Sequence, residues 1–417
     1  MIKVLIVVSY LSGGGAEHVA RKNLECLLDR PEYQAALLTC DQESAKKYPA
    51  ESYILQDFKK LHGKLSQGAA VLGYQANYQT AMNCLRQFHP GIIHIHDFIP
   101  MTPSVWKAIR EYKAKSGCKV ILTHHTYSYI CTNDSLYDYS ADKPCEECIG
   151  KLDATIIRKK CSGSLLTSGA KYFQKKRFAS YWDGVVDLHI SPSVFLKQKL
   201  LQANPELSAQ VVYNPCIDRV LPVSTRGKVD MIVYFGRISR EKNIVSFAKI
   251  FARIPTDYRL LVIGSGKLAE EMAQTVSDAP EGKIRFLDRF LPTEELYRAV
   301  SPARYFILPS VWYENSPVSI VEAINWSLVP LVSNIGGMEE LIHRFRVGRT
   351  FDPKDEDGIC SMIQNLGGSD EAKQLESARA QLRNFTSTEY SKKMSKIYWD
   401  LISPSFPQAA HLQLLRK

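Results

Sequence analysis

The sequence predicts an α/β fold made of two doubly wound halves. Three observations carry that reading. Short apolar, β-branched runs alternate with longer amphipathic stretches along most of the chain. The runs are apolar on both faces, the habit of parallel strands covered by helices. Near the middle, residues 214–228 gather Pro, Gly and polar residues before a new strand begins, which marks a linker. A length of 417 residues agrees with two or three domains of about 150 residues each.

The elements follow in order. In the first half the strand candidates are Lys3–Val8, Ala35–Thr39, Ile92–His96, Lys119–Thr123, Val186–Ile190 and Gln210–Tyr213. In the second they are Val229–Phe235, Tyr258–Ile263, Lys283–Phe286, Tyr305–Leu308 and Val329–Val332. Residues 127–185 break the alternation. They are rich in Cys, Lys, Tyr and Ser and read as an insertion. The segment Thr386–Ile402 places Tyr390, Met394, Ile397, Tyr398 and Leu401 at helical spacing. The predicted domains are 1–220, with the insertion at 127–185, then 221–388, then a tail at 389–417 that packs back on the first domain.

Composition narrows the classes. Hydrophobic residues make up 45% and charged residues 23%, enough apolar surface for packed cores. No run approaches the ~18 apolar residues of a spanning helix. The opening Met1–Val8 lacks the h-region and cleavage site of a signal peptide, so a cytoplasmic protein is expected. The net charge of +10 points to a polyanionic partner: phosphate, nucleic acid or an acidic membrane.

The motifs lie where strands end. The first strand runs into Ser12-Gly13-Gly14-Gly15-Ala16-Glu17-His18 and then an amphipathic stretch. Consecutive glycines let backbone approach a ligand, and a helix N-terminus favours an anion; a plain tight turn is the alternative. The spacing is not the dinucleotide fingerprint. After Val229–Phe235 come Gly236-Arg237-Ile238-Ser239-Arg240-Glu241-Lys242. Arg237 and Lys242 supply one forked donor and one point charge, a set suited to a diphosphate. Gly264-Ser265-Gly266 is a further turn at a strand end. In Leu308–Ala323, Glu314 and Glu322 are separated by seven residues, with Pro317 suited to a first helical turn. Both carboxylates can then face a strand-end crevice and accept bonds from sugar or ribose hydroxyls. Gly336-Gly337 follows the next strand and could again admit phosphate.

Together these pieces resemble the retaining nucleotide-sugar glycosyltransferases of the GT-B fold, family 4, and a cysteine-containing subset among them. The order and spacing of the motifs carry the resemblance, most strongly from Val233 to Leu341. It implies two Rossmann-like domains facing a central cleft. It implies that Arg237 and Lys242 hold the donor diphosphate, that Glu314 meets the donor sugar hydroxyls, and that Glu322 binds the nucleotide ribose. Gly13, Gly14 and Gly15 match the loop under the donor phosphate and sugar, and Gly236, Gly336 and Gly337 complete the donor-binding set. His125 matches the active-site histidine, with His124 beside it as the alternative. Two departures stand out: Ser327 and Val329 occupy positions where many relatives have Gly and Pro, and Glu339 stands where Pro is common.

The implied reaction passes a sugar from a UDP- or GDP-sugar to an acceptor hydroxyl with its anomeric configuration kept, the leaving diphosphate helping to remove the acceptor proton. No cofactor is required for it. The context implied is polysaccharide, O-antigen or capsule biosynthesis on a saccharide or lipid-linked acceptor. A GT-B epimerase or phosphorylase, or a non-catalytic nucleotide-sugar-binding protein, is the alternative. No paired carboxylates of hydrolase character stand out.

Two features belong to the insertion. Cys131, Cys145, Cys148 and Cys161 are spaced to close a tetrahedral zinc site, with reduced or locally paired thiols as the alternative. Residues 151–180 carry eight basic side chains against Asp153 alone, interleaved with Tyr172, Phe173 and Phe178, followed by Tyr181 and Trp182. That pattern suits an anionic membrane surface, with a solvated basic face as the alternative. No nucleic-acid recognition motif accompanies the charge.

Overall fold

A computed structural model of the chain describes residues 1–57, 73–97, 102–151, 153–224, 227–368 and 370–403. The last part of the predicted tail, 404–417, lies outside the described residues. The chain divides into two compact units. One comprises 1–135, 146–213 and the segment from Ser387 onward; the other comprises Leu136–Cys145 and Asn214–Thr386.

The first unit holds a parallel sheet of seven strands in the order β3-β2-β1-β4-β5-β8-β9. The strands are β1 (Ile2–Val7), β2 (Tyr33–Thr39), β3 (Glu51–Ile54), β4 (Ile92–Ile95), β5 (Lys119–Thr123), β8 (Leu188–Ser191) and β9 (Ala209–Val211). Successive side chains on a strand leave by opposite faces. Leu5, Val7, Ile93, Ile95, Val120 and Leu122 therefore feed one core. Val4, Ile6, Ile92, Ile121 and Ile190 feed the other. This is why the runs read apolar on both faces. β3 was not among the expected strands: its sequence, Glu-Ser-Tyr-Ile, is half polar and it lies at the sheet edge, where burial asks less of it.

The helix Ser387–Ile402 completes this unit. Its Tyr390, Met394, Ile397, Tyr398 and Leu401 join the core that also receives Val19, Ala20, Leu24 and Leu27 from the helix Gly15–Leu28. Polar groups inside that contact are paired: Tyr398 lies 2.9 Å from the Asn23 amide nitrogen, and Tyr33 Oη lies 2.6 Å from Ser395 Oγ. The remainder of the insertion adds the helix Leu165–Trp182, capped at its start by reciprocal Ser164 and Thr167 bonds. Its Phe178 and Trp182 stack at 5.8 Å in the first core.

The second unit has six parallel strands in the order β12-β11-β10-β13-β14-β15. They are β10 (Val229–Phe235), β11 (Arg259–Gly264), β12 (Ile284–Asp288), β13 (Ala303–Leu308), β14 (Val329–Ser333) and β15 (Arg349–Phe351). Its core packs Phe247 against Phe251 and Phe351. Phe235 packs against Phe306 and Trp326. The hairpin of β6 (Tyr137–Asp138) and β7 (Lys143–Pro144) belongs here rather than with the rest of the insertion. Arg240 explains that placement: its guanidinium bonds the Tyr139 carbonyl at 3.0 Å and pairs with Asp142 at 3.0 Å. Both sheets reverse strand order beside their first strand, at β1/β4 and at β10/β13. In such sheets the crevice outside the carboxyl ends at that point is where ligands bind.

Candidate active site

In the second unit the loops after β10 and β13 are adjacent, joined by a backbone bond from Val311 N–H to the Glu241 carbonyl at 3.0 Å. Lys242 comes from the first loop and Glu314 from the second. Lys242 Nζ lies 2.5 Å from Glu314 Oε1, with both side chains largely buried. Ser310 Oγ at 2.7 Å and Trp312 Nε1 at 2.8 Å donate to the same oxygen. Burial alone would push the Glu314 carboxyl upward. The Lys242 charge and these three donors overcome it and hold the group below the usual carboxylate range. Glu314 thus stays ionised, with Oε1 anchored and Oε2 left to accept from a ligand. Lys242 spends one of three N–H donors on the pair, so two remain.

Arg237 sits at the mouth of the same loop, with its side chain 60% exposed and its guanidinium 3.4 Å from Glu241. Tyr234 Oη donates to the Arg237 carbonyl at 2.6 Å and pins the loop beneath it. Glu322 lies inside the helix Val318–Asn325. Burial raises its carboxyl to about 7. Among the described residues its carboxylate has no hydrogen-bond partner, so it can accept one.

Glycines let these loops close. A Cβ on Gly337 would fall 2.0 Å from the Asn315 carbonyl oxygen, and the Gly337 N–H bonds the Glu314 carbonyl at 2.8 Å. A Cβ on Gly264 would fall 1.8 Å from the Gly236 carbonyl oxygen. Gly336, at φ +63, makes the turn before Gly337. Gly236, Gly336 and Gly337 therefore hold backbone against backbone around Glu314 and Arg237.

In the first unit, Gly13 and Gly14 lie in an exposed loop after β1, and Gly15, also exposed, opens the helix Gly15–Leu28. Asp41 Oδ2 accepts from Leu11 N–H at 3.2 Å and from Ser12 Oγ at 3.3 Å, which fixes the entrance to the loop. A Cβ on Gly13 or Gly14 would meet nothing closer than the Glu17 side chain, so the loop presents open backbone. His125 follows β5 and is half-buried; burial lowers it to about 4. His124 is 3% exposed and its Nε2 lies 2.9 Å from His189 Nδ1, in a stack with that ring. Of the two, His125 is the one a solute can reach.

Sequence spacing missed the partners of these residues. His94, His96, His189 and Asn23 carry no motif, because they meet only through sheet pairing and helix packing, whereas Ser310 and Trp312 lie four and two residues before Glu314 in the same loop. The alternation of His94 and His96 on β4 was the available signal, since it puts two imidazoles on one face.

The four cysteines of the expected zinc site, Cys131, Cys145, Cys148 and Cys161, all lie among the described residues. Among the described residues no group of three or more His, Cys, Asp or Glu side chains is placed to hold a metal ion. Cys131 is buried, while Cys145, Cys148 and Cys161 are half-buried. The basic stretch is also partly internal. Lys175 is 8% exposed over the Trp182 ring, Lys171 pairs with Asp134 at 2.9 Å, and Lys159 pairs with Glu147 at 2.5 Å. No helix among the described residues is long and apolar enough to cross a membrane.

Known proteins resemble this chain in part of its sequence and in its fold. Residues 229–369 match the family described as Glycosyl transferases group 1. The alpha-maltose-1-phosphate synthase of Mycolicibacterium smegmatis is 25% identical over 124 residues, 28% of this chain; the match spans about a third of that enzyme, 32% of its length. The lipopolysaccharide outer core galactosyltransferase WaaB superposes with a TM-score of 0.65 at 15% identity, covering 96% of this chain and 100% of WaaB. HepE of Anabaena, solved with UDP and glucose, gives 0.64 at 16% identity, covering 95% of this chain and 99% of HepE. Sucrose-phosphate synthase of Thermosynechococcus elongatus gives 0.68 at 14% identity over 97% of this chain and all of that one. The chain has the GT-B fold, and its residues 229–369 match the group 1 glycosyl transferases.

Proposed function

We propose that this protein is a glycosyltransferase that moves a sugar from a nucleoside-diphosphate sugar to an acceptor hydroxyl with retention of anomeric configuration, as in family 4. The observation that carries the reading is the Lys242–Glu314 pair at the β10/β13 switch point, with Glu322 half-buried and unpaired on the next helix. Lys242 and Arg237 would neutralise the leaving diphosphate, and Glu314 Oε2 would accept from sugar hydroxyls. Glu322 would accept from the ribose. In the reaction the bond between the anomeric carbon and the diphosphate oxygen breaks. A bond to the acceptor oxygen forms, and the acceptor proton passes to the diphosphate. The chain's contribution is positioning and charge stabilisation. HepE was solved with UDP-glucose, which favours a UDP-sugar as the first donor to try.

The acceptor is proposed to be a saccharide or lipid-linked glycan at an anionic membrane face. The supporting surface is the helix Leu165–Trp182, where Leu165, Leu166 and Phe173 are exposed beside Lys176 and Arg177. Transfer and hydrolysis of a panel of UDP- and GDP-sugars tests the reading. Turnover that Glu314→Ala and Lys242→Ala abolish is expected. Failure of the protein to bind any nucleotide sugar would overturn it, and product formed without acceptor would mark an epimerase.

A further inference from the structure

Asn23, His94, His96 and His125 come from three places in the first unit. Asn23 is on the buried face of the helix Gly15–Leu28, His94 and His96 are on and just after β4, and His125 is just after β5. The His94 and His96 rings lie 4.2 Å apart, and the His96 and His125 rings lie nearly parallel at 5.4 Å. Asn23 Nδ2 is 3.0 Å from His96 Nε2 and 2.8 Å from His94 Nδ1. His96 Nδ1 is 3.1 Å from His125 Nε2.

An amide nitrogen can only donate, and with Tyr398 Oη, 2.7 Å away, supplying His94 Nδ1, the two Asn23 hydrogens serve His96 Nε2 and Tyr398 Oη at 2.9 Å, which fixes the protons one after another. His96 Nε2 must accept, so neutral His96 carries its proton on Nδ1 and donates it to His125 Nε2. His125 Nε2 must then accept, and neutral His125 carries its proton on Nδ1. The side branch agrees. His94 Nδ1 accepts, and its Nε2 proton meets Thr123 Oγ1 at 2.7 Å. Tyr398 Oη, 2.9 Å from Asn23 Nδ2 and 2.7 Å from His94 Nδ1, accepts from the amide and donates to that ring nitrogen. Burial keeps His94, His96 and His125 neutral near pH 7.

We propose that Asn23 and His96 are positioning residues that hold His125 as the Nδ1-protonated tautomer. His125 then offers a hydrogen-bond donor to a substrate oxygen, and its Nε2 lone pair is not available to take a proton. The functional half of this rests on His125 being the active-site histidine.

The test is the ¹⁵N spectrum of histidine-labelled full-length protein, with His125 assigned by its loss in His125→Ala. The expected result is a protonated Nδ1 and an unprotonated Nε2 at His125. In Asn23→Asp the carboxylate can only accept, so the chain of donors should reverse and His125 should become Nε2-protonated. His96→Leu should release His125 to exchange between tautomers and lower kcat about tenfold with little change in donor KM. His96→Asn, whose amide nitrogen stands near the original Nδ1, should restore both. An Nε2-protonated His125 in the wild type, or a His96→Asn variant as impaired as His96→Leu, would overturn the proposal. The tautomer is read without substrate. Full transfer activity in His125→Ala would therefore overturn the active-site reading alone.

Discussion

The two units solve the same problem, holding polar groups rigid at a strand-order reversal, with opposite electrostatics. The second unit buries a charged pair, Lys242 and Glu314, and surrounds it with donors. The first buries neutral imidazoles, His94, His96, His124 and His189, each sharing a proton with a neighbouring side chain. A buried charge demands its partner, whereas a neutral network demands only that each proton have a place. The two should therefore fail in different ways.

The charged site should show the largest effects. Lys242→Ala strips Glu314 of its counter-charge and should cost about 3–5 kcal/mol of stability, with transfer activity falling about 10²–10³-fold. Replacing both partners, as in Lys242→Met with Glu314→Leu, should recover most of the stability and none of the activity. Denaturant unfolding beside a transfer assay reads both. A double variant as unstable as the single one would break the contrast.

The imidazole network should fail with acid instead. Its histidines are depressed in the folded state, His94 to about 3 and His125 and His189 to about 4. Unfolded histidine titrates near 6.5, so below that pH the unfolded chain binds more protons than the folded one. The stabilisation is complete above pH 6.5 and is lost as pH falls toward 4. For a group such as His189, at 2% exposure, the loss between pH 6.5 and 5 is on the order of 2 kcal/mol. Melting temperature followed from pH 7 to 5 checks this, and His189→Asn should flatten part of the slope. A curve level across that range would remove the distinction between the units.

Glu322 should give the smallest effect, and it sharpens the comparison because it is a half-buried acid without a counter-charge. Its carboxyl titrates at about 7, and the ionised form is the better acceptor for ribose hydroxyls. Nucleotide affinity should weaken severalfold as pH falls from 8 to 6, and Glu322→Gln should bind weakly at both values. Calorimetric titration with UDP measures it.

The same contrast decides what was legible in the sequence. Arg237, Lys242 and Glu314 lie on loops that follow strands directly and Glu322 on the short helix after one of those loops, so short-range spacing brings them to one end of the sheet. The strands themselves were legible because burial on both faces leaves unbroken apolar runs. The imidazole network was not, because Asn23 and Tyr398 are 375 residues apart and meet only through packing of two helices. The edge strands β3 and β15 escaped notice because they are short and half polar.

The helix Ser387–Ile402 carries one more consequence, for the order of events during synthesis. Every residue of the second unit leaves the ribosome before this helix does, so that unit can complete its core while translation continues. The first unit, although its strands are made first, lacks one wall until Tyr390, Met394 and Tyr398 arrive. Its sheet must wait with the surface around Val19, Leu24 and Asn23 uncovered for most of the chain's synthesis. The interval in which this protein is most open to aggregation and to chaperones is therefore set by the distance between its first helix and its last described one.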